Sequence, residues 1–188
     1  VLYPEQDRMS NPQGCWNWFD TRSGRAHAEA DSIMRAIDQV CLLYSADRER
    51  VGIAGLSAGA SMAALLATRH PKRFKALTMH SGIPPGTADS PLSAVGAMRG
   101  RRSMRPLHAG AETLPPAWPA LLAIHGGSDG VVAPSNAHAA VQAWAAAAQA
   151  VAGPGRDVRR GKRHPMHVTE FKRHGDTRLA HYRKLGAS

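Results

Sequence analysis

Ser57, in Gly55-Leu56-Ser57-Ala58-Gly59, has the strongest local setting for chemistry in this 188-residue chain. A serine hydroxyl is a weak nucleophile until a base accepts its proton, and it reaches a carbonyl only when the backbone lifts it clear of its surroundings. The G-x-S-x-G pattern does this where a strand enters the turn and a helix leaves it. Val51 to Ala54 is a short apolar run after the charged Asp47-Arg48-Glu49-Arg50 and reads as a buried strand. Ala58 to Thr68 is rich in Ala, Leu and Met, meets no proline until Pro71, and reads as a buried helix. The flanking glycines allow close backbone approach. The start of the helix presents unpaired N–H groups, so the Ala58 N–H is the candidate for half of an oxyanion hole.

A nucleophilic serine needs a histidine base and a carboxylate to orient it. In the α/β-hydrolase arrangement these follow in the order Ser, Asp or Glu, His. Asp129 satisfies the order in Gly126-Gly127-Ser128-Asp129-Gly130, directly after the apolar run Ala120 to His125. Loops at the carboxyl ends of strands are where open α/β sheets place working residues. Asp157, between Gly153 and Gly161, is the competing carboxylate. His164, His167, His174 and His181 all come later. His164 precedes an expected strand, His167 and His181 fall inside expected strands, and His174 sits in a basic turn. None stands in a suitable loop, so the base is unassigned.

The elements that must hold these residues follow from periodicity. Apolar positions 30, 33, 34, 37, 40, 41 and 44 predict an amphipathic helix from Ala30 that ends before Asp47. Strands are expected at Val1–Tyr3, Phe74–His80, Ala120–His125, Met166–Phe171 and Leu179–Leu185, the last two joined as a hairpin around His174-Gly175-Asp176. A helix is expected over Asn136–Val151, closed by Gly153-Pro154. Residues 83–119 read as an irregular insertion with one short helix, Pro91–Met98. The order predicts a single α/β domain over residues 1–188, with a mostly parallel central sheet flanked by helices.

Composition narrows the partners. The chain is 43% hydrophobic without a run long enough to cross a membrane, so no membrane partner is expected. Its net charge is +10, with one cluster at Arg99, Arg101, Arg102 and Arg105 and another between Arg156 and Lys184. This reads as a solvated basic face, with no nucleic-acid partner expected. Two cysteines, Cys15 and Cys41, allow one internal disulfide or two free thiols and match no zinc spacing, so no metal site is expected. Ser10–Gly24 is a loop holding the aromatic string Cys15-Trp16-Asn17-Trp18-Phe19.

These strings together resemble the poly(3-hydroxybutyrate) depolymerase-type esterases of the α/β-hydrolase superfamily. The similarity is carried by Leu2-Tyr3-Pro4-Glu5-Gln6, Asn11-Pro12, Gly14 to Phe19, Gly55 to Ala60, His80-Ser81-Gly82, His125-Gly126 with Asp129, and Arg163-His164-Pro165-Met166. It implies an α/β-hydrolase fold with Ser57 as nucleophile, Asp129 as the triad acid and the Ala58 N–H in the oxyanion hole. The expected reaction is ester hydrolysis through an acyl-enzyme without metal or organic cofactor, acting on a polyester or related hydroxyacid ester outside the cytoplasm, extracellular or periplasmic. Trp16 and Trp18 have two readings, an apolar shelf for the acyl group or packing of the loop onto the domain. The rivals are a feruloyl or acetylxylan esterase acting on plant-wall esters, and a catalytically inert module binding polyanions. Two departures from the family pattern are expected to matter. The family's first strand and His-Gly oxyanion loop, with a cysteine able to pair with Cys15, would lie before Val1. Its catalytic histidine would follow Ser188. The sheet is therefore expected to be incomplete at both ends, and residues 1–188 alone nearly inactive and poorly soluble.

Overall fold

The computed structural model describes residues 1–102, 118–159, 165–173 and 176–185. Helix α1 spans Arg25–Leu43, β1 Gly52–Leu56, α2 Ala58–Arg69, β2 Ala76–His80, α3 Pro91–Met98 and β3 Ala120–Gly126. Helix α4 (Ser135–Ala148) follows, then β4 (Val151–Ala152), β5 (Arg156–Val158), β6 (Met166–Arg173) and β7 (Asp176–Leu185). They form a seven-stranded sheet in the order β1-β2-β3-β7-β6-β4, with β5 also on β6. Strands β1, β2, β3 and β7 are parallel, whereas β6 turns back as the expected hairpin and carries β4 and β5 antiparallel.

Burial alternates along the central strands as a sheet with one buried face requires. Leu77 and Met79 of β2, and Leu121, Ala123 and His125 of β3, are buried. They meet α2, which buries Ala60 to Ala67 without a break, and α1 through Ala26, Ala30 and Ile33. Each large apolar side chain buried here, such as Met62 or Leu66, contributes about 1.5–3 kcal/mol. Helix α4 adds Val141 and Trp144. The Trp144 indole N–H donates to the Pro119 carbonyl at 2.8 Å, and its ring meets Trp118 edge-on at 5.0 Å.

Three expectations change. Residues 1–3 form no strand: Val1 and Tyr3 are exposed, and no strand among the described residues offers them a ladder. Helix α4 stops at Ala148 because Gln149 takes a left-handed conformation (φ 55°), with the Ala150 N–H bonded to Ala145. Asp157 lies within β5, paired to β6, instead of in an open loop. Cys15 is exposed and Cys41 is buried, both free, so they form no bond to each other. Within the expected insertion α3 forms as read. Residues 103–117 lie outside the described ones, as do His164 and His174. No described helix is long and apolar enough to cross a membrane.

One pH response follows from a cluster around Arg69. His27 Nδ1 lies 2.7 Å from the Arg69 guanidinium, and burial, then that charge, holds His27 below its ordinary value against the pull of Asp31. His70 is lowered by burial first and then by Arg69, with Asp31 opposing; Arg73 adds to the lowering and Asp38 opposes it. Its Nε2 is buried with no partner among the described residues. The unfolded chain therefore binds these protons more tightly. Their stability contribution is complete above the unfolded value of about 6.5 and is lost as pH falls below it. Thermal unfolding should show Tm dropping as pH is lowered from about 7 to about 5. His70→Gln should flatten that slope, and an unchanged slope would remove His70 from the account.

Candidate active site

Strand β1 runs into Ser57, whose backbone sits at φ 53°, ψ −120°, before α2 begins at Ala58. A non-glycine residue there costs about 1–3 kcal/mol and persists only where its surroundings over-determine it. Here they do. The Ser57 N–H donates to the His80 carbonyl at 2.8 Å. Its carbonyl accepts the Ser61 N–H at 3.1 Å and the Ser61 hydroxyl at 3.2 Å. Buried Ser61 also accepts the Ile83 N–H at 2.9 Å, joining the turn to the chain that leaves β2. Ser57 itself is exposed, and its Oγ has no hydrogen-bond partner among the described residues. Ala58 is the first helical residue, so its N–H has no intrahelical acceptor.

The turn also explains Gly55. A Cβ at that position would collide with the carbonyl of Gly59 and the nitrogen of Ala60, all backbone and unable to move aside. Gly55→Ala should therefore destabilise the fold by about 1–3 kcal/mol or more. In a chain of this size that lowers Tm by several degrees in a melt. A variant melting with the wild type would mean that the turn is looser than drawn. Gly59, with open space around its missing Cβ, should tolerate alanine far better.

The carboxylate follows β3. Oδ1 of Asp129 accepts the backbone N–H groups of Val131 and Val132, each at 2.9 Å. The Ser81 hydroxyl bonds the same carboxylate. His125 Nε2 lies 3.4 Å from Oδ2 and 2.8 Å from the Val132 carbonyl. A carbonyl can only accept, so Nε2 carries the hydrogen, and the buried Nδ1 is left without a partner among the described residues. Burial pushes Asp129 up, but the Val132 and Val131 N–H groups, the Ser81 hydroxyl and His125 together outweigh it. The carboxyl is held below its ordinary range and stays ionised.

Sheet register brings these parts to one edge. Leu56 pairs with His80 and His80 with Ile124, so Ser57, Ser81 and His125 follow at one level at the carboxyl ends of three neighbouring strands. The backbone ladder continues past them, with the Ser81 N–H donating to the Ile124 carbonyl at 2.9 Å. Ser81 also has a positive φ, 51°. The sequence alone assigns no role to Ser61, Ser81 or His125. Only the tertiary contacts distinguish them from ordinary sheet and helix residues.

The remaining candidates separate. His167 bonds Asp157 through Nδ1 at 2.9 Å on the exposed β5–β6 edge, which pairs the rival acid with a surface histidine. Among the described histidine side chains none bridges Ser57 and Asp129, and Ser57 Oγ has no partner among the described residues; the side chain of His181 lies outside the described ones. Trp16 and Trp18 are half-buried and packed against the main core. Trp18 also reaches a second apolar cluster with Phe19, which it meets edge-on at 5.5 Å. That cluster holds Ile83, bonded to Ser61, and Val132, bonded to Asp129. Through this cluster Trp18 is connected to the segments that bond Ser61 and Asp129. Trp16 lines a cleft of about 660 Å³ between the first residues and α1.

A strand–turn–helix at Ser57 and a loop carboxylate at Asp129, at the carboxyl ends of the parallel strands β1 to β3, belong to a domain of α/β-hydrolase type. Residues 1–157 match the family described as esterase PHB depolymerase, and the chain belongs to that family. It is 32% identical over 158 residues to poly(3-hydroxyalkanoate) depolymerase C of Paucimonas lemoignei, covering 76% of this chain and 36% of that protein. Feruloyl esterase B of Neurospora crassa is 33% identical over 85 residues, covering 44% of this chain and 28% of its own length. Among solved structures, an acetyl xylan esterase from Aspergillus awamori superposes with a TM-score of 0.70 at 19% identity, over 91% of this chain and 66% of that one. That likeness shows the shared fold. The chain spans about a third of the length of the depolymerase it matches.

Proposed function

We propose that the protein is a serine esterase that hydrolyses carboxylic esters through an acyl-enzyme. The observation that carries this reading is the strained, exposed Ser57 at the head of α2, level with the ionised Asp129 site. Ser57 Oγ attacks the ester carbonyl carbon, and its proton passes to a histidine outside the described contacts. The carbonyl oxygen takes up the electron pair and is met by the Ala58 N–H. Collapse of this intermediate expels the alcohol, which leaves with the proton from the histidine. Water, activated by the same base, then releases the acid and restores the serine. Asp129 orients the imidazole and stabilises its charged form.

Family membership and the 32% identity to a polyhydroxyalkanoate depolymerase favour polyhydroxybutyrate or related short-chain hydroxyacid esters, met outside the cytoplasm. The matches to feruloyl and acetylxylan esterases favour a second reading, a plant-wall ester. Incubating the full-length protein with a fluorophosphonate should add one phosphonyl group, located at Ser57 by peptide mass. Labelling elsewhere, or none, would overturn the serine mechanism. Release of 3-hydroxybutyrate, ferulate or acetate from the matching polymers then separates the substrates.

A further inference from the structure

The aromatic loop is fastened by a carboxylate that neither the reaction nor the core requires. Asn17 is 3% exposed and donates twice to Glu29 on α1, while its amide also reaches the Ser10 carbonyl at 3.5 Å. Its backbone N–H reaches Oε2 at 2.8 Å, and its side-chain amide reaches Oε1 at 2.6 Å. The Asn17 carbonyl oxygen is in turn filled by the Asn11 amide at 3.0 Å. A forked pair of N–H groups on one carboxylate is directional and strong, so it fixes the orientation of the loop as well as its position. Trp18 and Phe19 follow immediately and pack against Ile83, Ala94, Ala97 and Val132.

Two further ties carry this position to the reacting groups. Arg22, three residues beyond Phe19, bonds Asp89 at 2.8 Å, just before α3. At the other end of α3 the Met98 carbonyl accepts the Ala133 N–H at 2.8 Å, and the Asn136 amide donates to the Ala97 carbonyl at 2.9 Å. Helix α3 is thus held between the aromatic loop and the segment that bonds Asp129. The cluster members Ile83 and Val132 bond Ser61 behind the nucleophile and Asp129 itself.

We infer that Glu29 is a positioning residue that sets acyl-group selectivity by clamping Asn17, and with it the Trp18–Phe19 wall, against α3. This rests on the serine-esterase reading of the site. On this inference the Trp18–Phe19 pair is the wall that meets the acyl group, so a short acyl group gains little from it and a longer one depends on where it stands.

The test compares p-nitrophenyl butyrate with p-nitrophenyl acetate in the full-length protein carrying Glu29→Ala, Asn17→Ala or Glu29→Gln. With the clamp removed, the butyrate-to-acetate ratio of kcat/KM should fall about tenfold, through a higher butyrate KM, while kcat on acetate stays within about twofold. Glu29→Gln keeps one acceptor for the Asn17 N–H and should fall in between, and it serves as the decisive variant if the alanine changes prevent folding. A ratio unchanged in folded Glu29→Gln and Asn17→Ala, or both esters declining in proportion, would overturn the inference. Fluorophosphonate labelling of the wild type separates the two claims. Label on Ser57 with an unchanged ratio defeats only the clamp, and absence of label defeats the reading of the site.

Discussion

Ser57→Ala should abolish ester hydrolysis while leaving the fold intact. The change removes one exposed oxygen that has no hydrogen-bond partner among the described residues, so little stability is at risk. Alanine must still adopt φ near 53°, but the contacts that impose it, from His80 and Ser61, are made by backbone atoms of residue 57 and survive. Where an activated serine is the nucleophile, its loss costs kcat on the order of 10⁶. The measurement is p-nitrophenyl butyrate turnover beside a thermal melt of the same sample. Wild-type turnover in a folded variant would show that another group carries the chemistry.

Asp129→Asn should lower kcat on the order of 10⁴, the effect known for the same change in a serine-protease triad. The side-chain oxygen retained by asparagine would still accept the Val131 and Val132 N–H groups, so the loop should keep its shape. The new amide then faces the Nε2–H of His125, donor against donor, and no longer offers a carboxylate to a catalytic imidazole. Activity should therefore fall much further than Tm. Asp157→Asn is the control, since that side chain is 80% exposed and occupied with His167. It should leave kcat within about twofold. Crippled Asp157→Asn with harmless Asp129→Asn would reverse the assignment. Because Asp129 is held low, its stabilising charge is complete above about 3.8 and is lost only as pH falls through its lower folded value. A loss of activity near neutral pH would consequently report the histidine.

Local sequence determined the elbow. Gly55, Ser57 and Gly59 encode a turn whose strand and helix neighbours are short-range, and the backbone at Ser57 obeys that code. The same holds for α1 and α3, where periodicity and a Pro at the helix start act within a few residues, and for β6 and β7, which pair as neighbours in sequence. The family resemblance was legible for the same reason, because its signature strings are contiguous.

What the tertiary structure decided lies between segments distant in sequence. Val1–Tyr3 has the composition of a strand, but a strand exists only with a hydrogen-bonded neighbour, and no described strand offers one. Asp129 and Asp157 are both loop-like aspartates by local pattern. Register alone places the first beside Ser81 and His125 and the second on an exposed edge. Asn17 reads as one polar residue in an aromatic string, and its grip on Glu29 appears only when α1 packs against that loop. Backbone propensity is summed over neighbours along the chain. The selection of a partner across space depends on which faces the packed core leaves side by side.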